Sequence, residues 1–196
     1  MKLLTSAFVV IFLSGCHYAQ QQSESKCRLQ DLAIDAALGD SEAQHNLGVE
    51  FHRGVNLPQD FSKAAVMWRL ASSVGVIASS NNLGYLTYYG KGVKQDHAEG
   101  VRLWRIAAEK GFAESQVHLG DAYSDGEYLQ RDYVEAYAWA RTGRHYAERM
   151  DDAALGKSIA QMADNLLADV EKRLSKAQLT EAENKAAEYI SKYRSN

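Results

Sequence analysis

The chain has 196 residues, a formal net charge of −3, and 46 % hydrophobic against 24 % charged residues. That length suffices for one substantial domain, and the acidic balance argues against a nucleic-acid partner, which would want a basic face. Pro58 is the only proline, as suits an almost wholly helical protein. At the N-terminus, Met1-Lys2 is a minimal positive region and Leu3 to Leu13 form an apolar run of 11 residues. A spanning helix needs about 20. A shorter run of this kind is the core of a signal peptide, read here as residues 1–15.

That run ends in Leu13-Ser14-Gly15-Cys16, which looks like a bacterial lipobox. The resemblance implies cleavage before Cys16, a diacylglyceryl group on its thiol and an acylated new amine. Loss of Lys2 would take the net charge to −4. One acyl chain binds a membrane only marginally, whereas two or three anchor stably. His17 rather than Asp follows the cysteine, which resembles an outer-membrane address, periplasm-facing in the first reading and cell-surface in the second.

Residues 16–28 read as a flexible tether, because Gln20-Gln21-Gln22-Ser23-Glu24-Ser25 offers nothing to bury. Ten such residues reach roughly 35 Å when stretched. With Cys16 lipidated, Cys27 has no intramolecular partner. A thiol shielded where the tether meets the first helix is the expectation, and an intermolecular bridge the alternative.

The body of the chain is periodic. Leu47-Gly48, Leu83-Gly84 and Leu119-Gly120 recur every 36 residues, and Gly54/Gly90/Gly126, Asp60/Asp96/Asp132 and Arg69/Arg105/Arg141 keep the same interval. Gly39, Gly75 and Gly111 close the units. A fixed period in the range of about 20–50 residues marks stacked supersecondary units.

Within a unit, Ala43, Leu47 and Phe51 share one helical face. A glycine beside Leu47 costs about 1 kcal/mol against alanine, so its repetition points to a close backbone neighbour. A linker, Gly54 to Gln59, leads to Asp60, an N-cap. In the next units Asp96 with Glu99, and Asp132 with Glu135, resemble capping boxes. The second helix carries Ala64, Trp68 and Ala71, matched by Gly100, Trp104 and Ala107. Small residues let helices approach while each Trp buries a large area. One such pair has too little core to stand alone, and three in register share one.

The fold expected is all-α, an α-solenoid of three helix-turn-helix units at about 40–75, 76–111 and 112–147 within 29–148. A capping helix, Leu29 to Gly39, precedes them, since Ala36 to Gly39 aligns with Ala108 to Gly111. Residues 149–196 read as a C-terminal helical cap. There Leu155, Ile159, Met162, Leu166, Val170 and Leu174 mark a long amphipathic helix. Thr180 to Glu183 fits a capping box opening a last helix to about Tyr193.

The stretches LGVEFHRGV…QDFSKAAVMWRLA, LGYLTYYGKGVKQDHAEGVRLWRIAAEKG and LGDAYSDGEYLQRDYVEAYAWA resemble the Sel-one-like repeat family, a relative of the tetratricopeptide repeat. The middle stretch matches best, with its G-K-G-V, Q-D and A-A-E-K-G. Thr87 departs from the aromatic held by Phe51 and Tyr123. Trp139 sits one position earlier than Trp68 and Trp104 predict, as if the last unit packs differently as an end piece. The resemblance implies a right-handed solenoid that binds proteins or peptides on the concave face lined by the first helix of each pair. Carrying exposed positions over gives Glu42, His45, Val49 and His52, then Ala78, Asn81, Tyr85 and Tyr88, then Glu114, Val117, Asp121 and Ser124. Of these, His45, Val49, His52, Asn81, Tyr85, Tyr88 and Asp121 are the candidate partner-binding residues.

Some cysteine-rich relatives have been assigned penicillin-binding or β-lactamase activity, so a catalytic reading needs a test. Ser23-Glu24-Ser25-Lys26 fits S-x-x-K and Ser80-Asn81-Asn82 loosely fits S-x-N, yet no K-[ST]-G triplet exists and no strand is expected to carry one. His45 and His52 share a helical face, but no second pair or carboxylate cluster completes a metal site. No cofactor is implied. The arginine column reads as surface charges paired with nearby glutamates. The function expected is a non-catalytic, lipid-anchored envelope adaptor. The alternatives are a penicillin-interacting or cell-wall-peptide-binding protein, and a surface effector that binds host proteins.

Overall fold

The computed structural model describes residues 26–193. The expected signal peptide, the lipidation site Cys16 and tether residues 16–25 lie outside the described residues. Helix α1 covers 26–37. After it come α2 (Ser41–Arg53), α3 (Phe61–Ser73), α4 (Ile77–Tyr89), α5 (His97–Glu109), α6 (Ala113–Asp125), α7 (Tyr133–Ala147), α8 (Ala153–Val170) and α9 (Lys176–Lys192). No strand occurs among the described residues, and no helix there is long and apolar enough to cross a membrane. The pairs α2/α3, α4/α5 and α6/α7 are the three units, and the all-α repeat fold is as the period predicts.

Local chemistry sets each boundary. Asp60, Asp96 and Asp132 sit in extended backbone, and their carboxylates accept the free N–H groups of Lys63, Glu99, and Val134 with Glu135 at 2.9–3.0 Å. The same aspartates close the hairpin through the backbone: their N–H groups donate to Phe51, Thr87 and Tyr123 carbonyls at 2.8, 2.9 and 3.1 Å. The reciprocal half of the expected capping boxes does not form. Glu99 turns to Arg102 at 2.6 Å, and Glu135 to Lys185 and Tyr189. Between units the chain reverses at Gly39, Gly75 and Gly111, whose φ values of 96°, 97° and 83° are left-handed. Bonds from residues 40, 76 and 112 back to Asp35, Ala71 and Ala107 make each a Schellman turn.

The carbonyls at these turns are capped in register. Gln44 donates to Ala36 and Gln116 to Ala108, at 3.2 and 3.0 Å. In the middle unit both positions change together, and the Ser80 and Ser72 hydroxyls meet at 2.7 Å.

The helices of a pair approach at the glycine. A Cβ on Gly48 would lie 2.5 Å from Trp68 Nε1, and one on Gly84 2.8 Å from Trp104 Cδ1. In the third unit position 140 is alanine, and Leu166 of α8 fills the space against Gly120, at 2.9 Å from a Cβ built there. Trp139, one residue back, packs instead against Tyr189 of α9 and Tyr193 just past its end, at 4.5 and 5.4 Å between ring centres. Its displaced position therefore belongs to the end of the stack, where α8 and α9 close the core around Tyr137, Leu167 and Val170.

Several expectations are corrected. Leu174 adopts extended backbone and packs into the α7–α8 core, so α8 stops at Val170 and a 3-10 turn, Glu171–Arg173, follows. The last helix then opens at Lys176 with Ser175 and Gln178 as its capping box. Thr180 lies inside it, with its hydroxyl on the Lys176 carbonyl at 3.2 Å. Residues 26–28 are helical rather than tether, which places Cys27 on the outside of α1 as an exposed free thiol, not a shielded one. Arg105 donates to the Tyr123 hydroxyl at 2.9 Å rather than pairing with a glutamate.

Gly84→Ala isolates the packing at the helix crossing. Propensity alone would stabilise the helix by about 1 kcal/mol, whereas overpacking a filled crossing costs about 1–3 kcal/mol. The variant is expected to melt a few degrees below the parent in a calorimetric scan. A rise would mean that the crossing relaxes freely.

Candidate functional site

One face of α2, α4 and α6 carries a row of cavities at equivalent positions of successive units. The first, about 430 Å³, lies at the α2–α4 junction and brings together Val49, His52, Asn81 and Tyr85, with Arg53 and Trp68 beside them. The second, about 390 Å³, lies at the α4–α6 junction around Tyr88, Tyr89, Trp104, His118 and Asp121. A third, about 550 Å³, opens between α6 and α8 and shares Asp121 and Asp125 with the second. Positions 52 and 53 of the first cavity become 88 and 89 in the second and 124 and 125 in the third. The period thus repeats the cavity while the side chains change.

The candidates fare differently. His45 is half-buried, and its Nδ1 meets Ser79 Oγ at 2.8 Å, linking the first unit to the second. Burial holds its pKa below the ordinary value. Asn81 is only 2 % exposed. Its amide donates to Glu114 at 2.9 Å and its carbonyl accepts from Ser115 at 2.7 Å, so it is a structural link rather than an open contact. Val117, also expected on the open face, is fully buried among Ala113, Ala147 and Ile159. Tyr85 is half-buried, accepts a hydrogen bond from Lys91 Nζ at 2.6 Å, and has that ammonium 4.5 Å from its ring centre. Tyr88 stands 4.7 Å from Trp104 and 5.7 Å from Tyr128 between ring centres. Asp121 is exposed at the junction of the second and third cavities.

The sequence reading missed Arg53, Tyr89 and Asp125, which follow His52, Tyr88 and Ser124 by one residue. The signal was present: 53, 89 and 125 lie four residues after 49, 85 and 121, on the same helical stripe. It also missed His97 and Tyr128, which reach the second cavity from α5 and from the α6–α7 linker. No offset within the first helix of a unit could have found them.

Electrostatics separate the cavities. His52 is held below its usual pKa by burial, then by Lys91 and Arg53. In the second cavity Tyr88 is pushed up to about 12, by burial and then by the negative groups Asp125, Tyr89, Tyr128 and Glu127. His118, stacked on Trp104 at 4.5 Å, is pulled down to about 4 by burial. Asp121 is pushed up to about 6, by loss of surrounding water in the cavity mouth and by Asp125. Ser80 of the S-x-N pattern is buried and bonded to Ser72, while Ser23 lies outside the described residues. Among the described residues no group of three or more His, Cys, Asp or Glu side chains is placed to hold a metal ion.

The Sel1 repeat model matches residues 41–76, 77–112 and 113–142, each match beginning at or next to the first residue of α2, α4 or α6. The chain belongs to the Sel1 repeat family. Two solved structures resemble it. A protective antigen present in uropathogenic Escherichia coli strains, displaying an SLR fold, has a TM-score of 0.60 and 26 % identity, over 84 % of this chain and 41 % of that one. A Sel1 repeat protein from Oxalobacter formigenes has a TM-score of 0.53 and 28 % identity, over 68 % of this chain and 97 % of its own. The chain therefore spans less than half the length of the antigen. No curated protein matches it. Sel1 repeats generally form non-catalytic scaffolds that mediate protein–protein interaction.

A pH test follows from the two shifted groups of the second cavity of this Sel1 repeat protein. Asp121, raised from 3.8 to about 6, takes up its proton in the folded state first, so it adds stability as pH falls through that window. His118, lowered from 6.5 to about 4, does the opposite, because the unfolded chain is protonated first. His45 and His52 act in the sense of His118, and Glu114, raised by burial, in the sense of Asp121. Asp121→Asn is expected to steepen the loss of melting temperature between about pH 6.5 and 4. Parallel curves for variant and parent would show that Asp121 titrates normally.

Proposed function

We propose that the protein is a lipid-anchored, non-catalytic adaptor that holds a partner protein against the α2–α4–α6 face, on the cell envelope. The observation that carries this reading is the row of repeat-equivalent cavities. A stacked frame presents them at fixed spacing, and their walls vary between His52-Arg53, Tyr88-Tyr89 and Ser124-Asp125. Half-buried aromatics beside charged groups at the centre of such a face are the residue types that dominate interface energetics. The face is the concave one of related tetratricopeptide solenoids. Lipidation at Cys16 would moor the domain to the outer membrane through the tether, facing the periplasm. A second reading, display at the cell surface with a host protein as partner, is favoured by the likeness to a protective antigen of Escherichia coli.

A photo-crosslinking residue at His52 or Tyr85 is expected to capture one discrete partner in living cells, and the same residue at exposed Val66 of α3 to capture none. Equal capture at all three would sink the binding-face reading. Labelled palmitate is expected to enter the protein and to be lost in Cys16→Ser. Protease shaving of the same intact cells leaves the domain whole if it faces the periplasm and removes it if it is displayed outside.

A further inference from the structure

The cavity at the α4–α6 junction combines three features. Its walls are π-faces: Tyr88 lies at 4.7 Å from Trp104 and nearly perpendicular to Tyr128, and His97 stacks on Tyr128 at 3.4 Å between ring centres. Its rim is anionic, with Asp121 and Asp125 one turn apart and Glu127 alongside. Among the described residues none of these three carboxylates is in an ion pair. The arginine beside them, Arg131, spends its guanidinium on the Asp125 backbone carbonyl, at 3.2 and 2.6 Å. Lys91 sits 4.5 Å from the ring centre of Tyr85 at the neighbouring junction and 6.0 Å from that of Tyr89.

The third feature is unmet polarity. Trp104 is 2 % exposed, and its indole N–H finds no acceptor, whereas Trp68 one unit earlier donates to the His45 carbonyl at 3.2 Å. His97 Nδ1, at the same cavity, is also buried without a partner. Negative charge, aromatic faces and unpaired polar atoms therefore converge where no cation among the described residues forms an ion pair with the carboxylates.

A long cationic side chain answers the first two, and its N–H groups can donate to His97 Nδ1, while the Trp104 N–H stays without an acceptor. Its methylene stem packs on aromatic walls while the head stays at the polar rim. A cation over an aromatic face within about 6 Å is attracted by the ring quadrupole. A guanidinium matches two carboxylate oxygens at once, and an ammonium acts as a point charge between them. The first cavity suits the same group less well, because Arg53 and His52 stand where Tyr89 and Tyr88 stand in the second and its one lining carboxylate, Glu114, already accepts from Asn81.

We propose that the cavity at the α4–α6 junction seats one arginine or lysine side chain of the partner protein, its stem against Tyr88, Tyr128 and Trp104 and its cationic head at Asp121 and Asp125. This rests on the adaptor reading above and names the partner chemistry of one junction.

The test titrates full-length protein, solubilised in a non-ionic detergent and labelled with 15N-tryptophan, with the tripeptide Ac-Gly-Arg-Gly-NH2. The control is the same peptide with citrulline, which keeps the shape and removes the charge. The arginine peptide is expected to shift the Trp104 indole resonance and saturate at about 1–10 mM, with the citrulline peptide leaving it in place. Asp121→Asn with Asp125→Asn is expected to weaken the arginine titration at least about tenfold. An unmoved Trp68 indole resonance reports that the variant is folded, and Asp121→Asn alone gives a smaller loss in the same direction. A Trp104 shift common to both peptides, a double variant that titrates like the parent, or no shift at about 20 mM overturns the proposal. If that happens while crosslinks at His52 and Tyr85 persist, the cation seat fails alone. Loss of those crosslinks would sink the adaptor reading itself.

Discussion

The structure depends on how closely the two helices of a unit can cross. At Gly48 and Gly84 the missing Cβ leaves room for an indole against the first helix, and Trp68 and Trp104 are almost wholly buried. Alanine at these sites would drive atoms to 2.5–2.8 Å from the rings, well inside ordinary carbon contact of about 3.5–4.0 Å. A thirteen-residue helix has marginal stability by itself in water. What fixes it is the indole against its neighbour, then the next unit against both. The backbone bonds from Asp60, Asp96 and Asp132 to the preceding helix hold the crossing angle, and the Schellman turns hold the step to the next pair.

The same constraint explains the ends of the stack. The third unit has no fourth to cover it, and its Trp is not at the crossing. Leu166 from α8 supplies the apolar mass at Gly120, and Trp139 turns to Tyr189 of α9. Glu135, freed from any capping role, ties α9 down through Lys185 at 3.0 Å and Tyr189 at 2.9 Å. Burial and that carboxylate raise the Tyr189 pKa, so the phenol keeps the proton it donates. At the other end α1 contributes Leu32 and Ala36 to a smaller apolar cluster with Ala43 and Leu47.

Legibility in the sequence followed what decides each feature. Turns, caps and the helix crossing are set within about 30 residues, and the 36-residue period displayed them three times over. Burial on the open face is set by the next unit and was not legible. His45, Asn81 and Val117 occupy one offset, yet they pass from half-buried to 2 % and 0 % exposed as more helices pack against them. Asn81 looked like a surface amide because the Glu114 and Ser115 that enclose it lie more than 30 residues on. The Ser80-Asn81-Asn82 pattern misled for a related reason. Ser80 stands where other units have glutamine, and Ser72 where they have alanine, so a hydroxyl–hydroxyl bond replaces the glutamine bond to the turn carbonyl. The start of α9 was misplaced because Leu174 leaves the helical pattern to fill a core that α7, α8 and α9 create together.

A frame that recurs at fixed positions leaves other positions unconstrained, and this division locates function. Leu, Gly, the capping Asp and the turn Gly recur in all three units, since each carries a backbone geometry or a crossing that stability requires. The residues five and six places after the Leu do not recur. They read His52-Arg53, Tyr88-Tyr89 and Ser124-Asp125, differing in charge, size and hydrogen-bonding capacity. A structural demand common to the units would have held them alike. Their divergence, at cavities the frame places in a row, is what a surface matched to one irregular partner requires, since each junction then meets a different stretch of that partner. The acidic, aromatic second junction beside a first junction carrying arginine and histidine gives the row a direction. In the proposed binding mode a segment bound in reverse would bring its cation against Arg53, where like-charge repulsion would disfavour it.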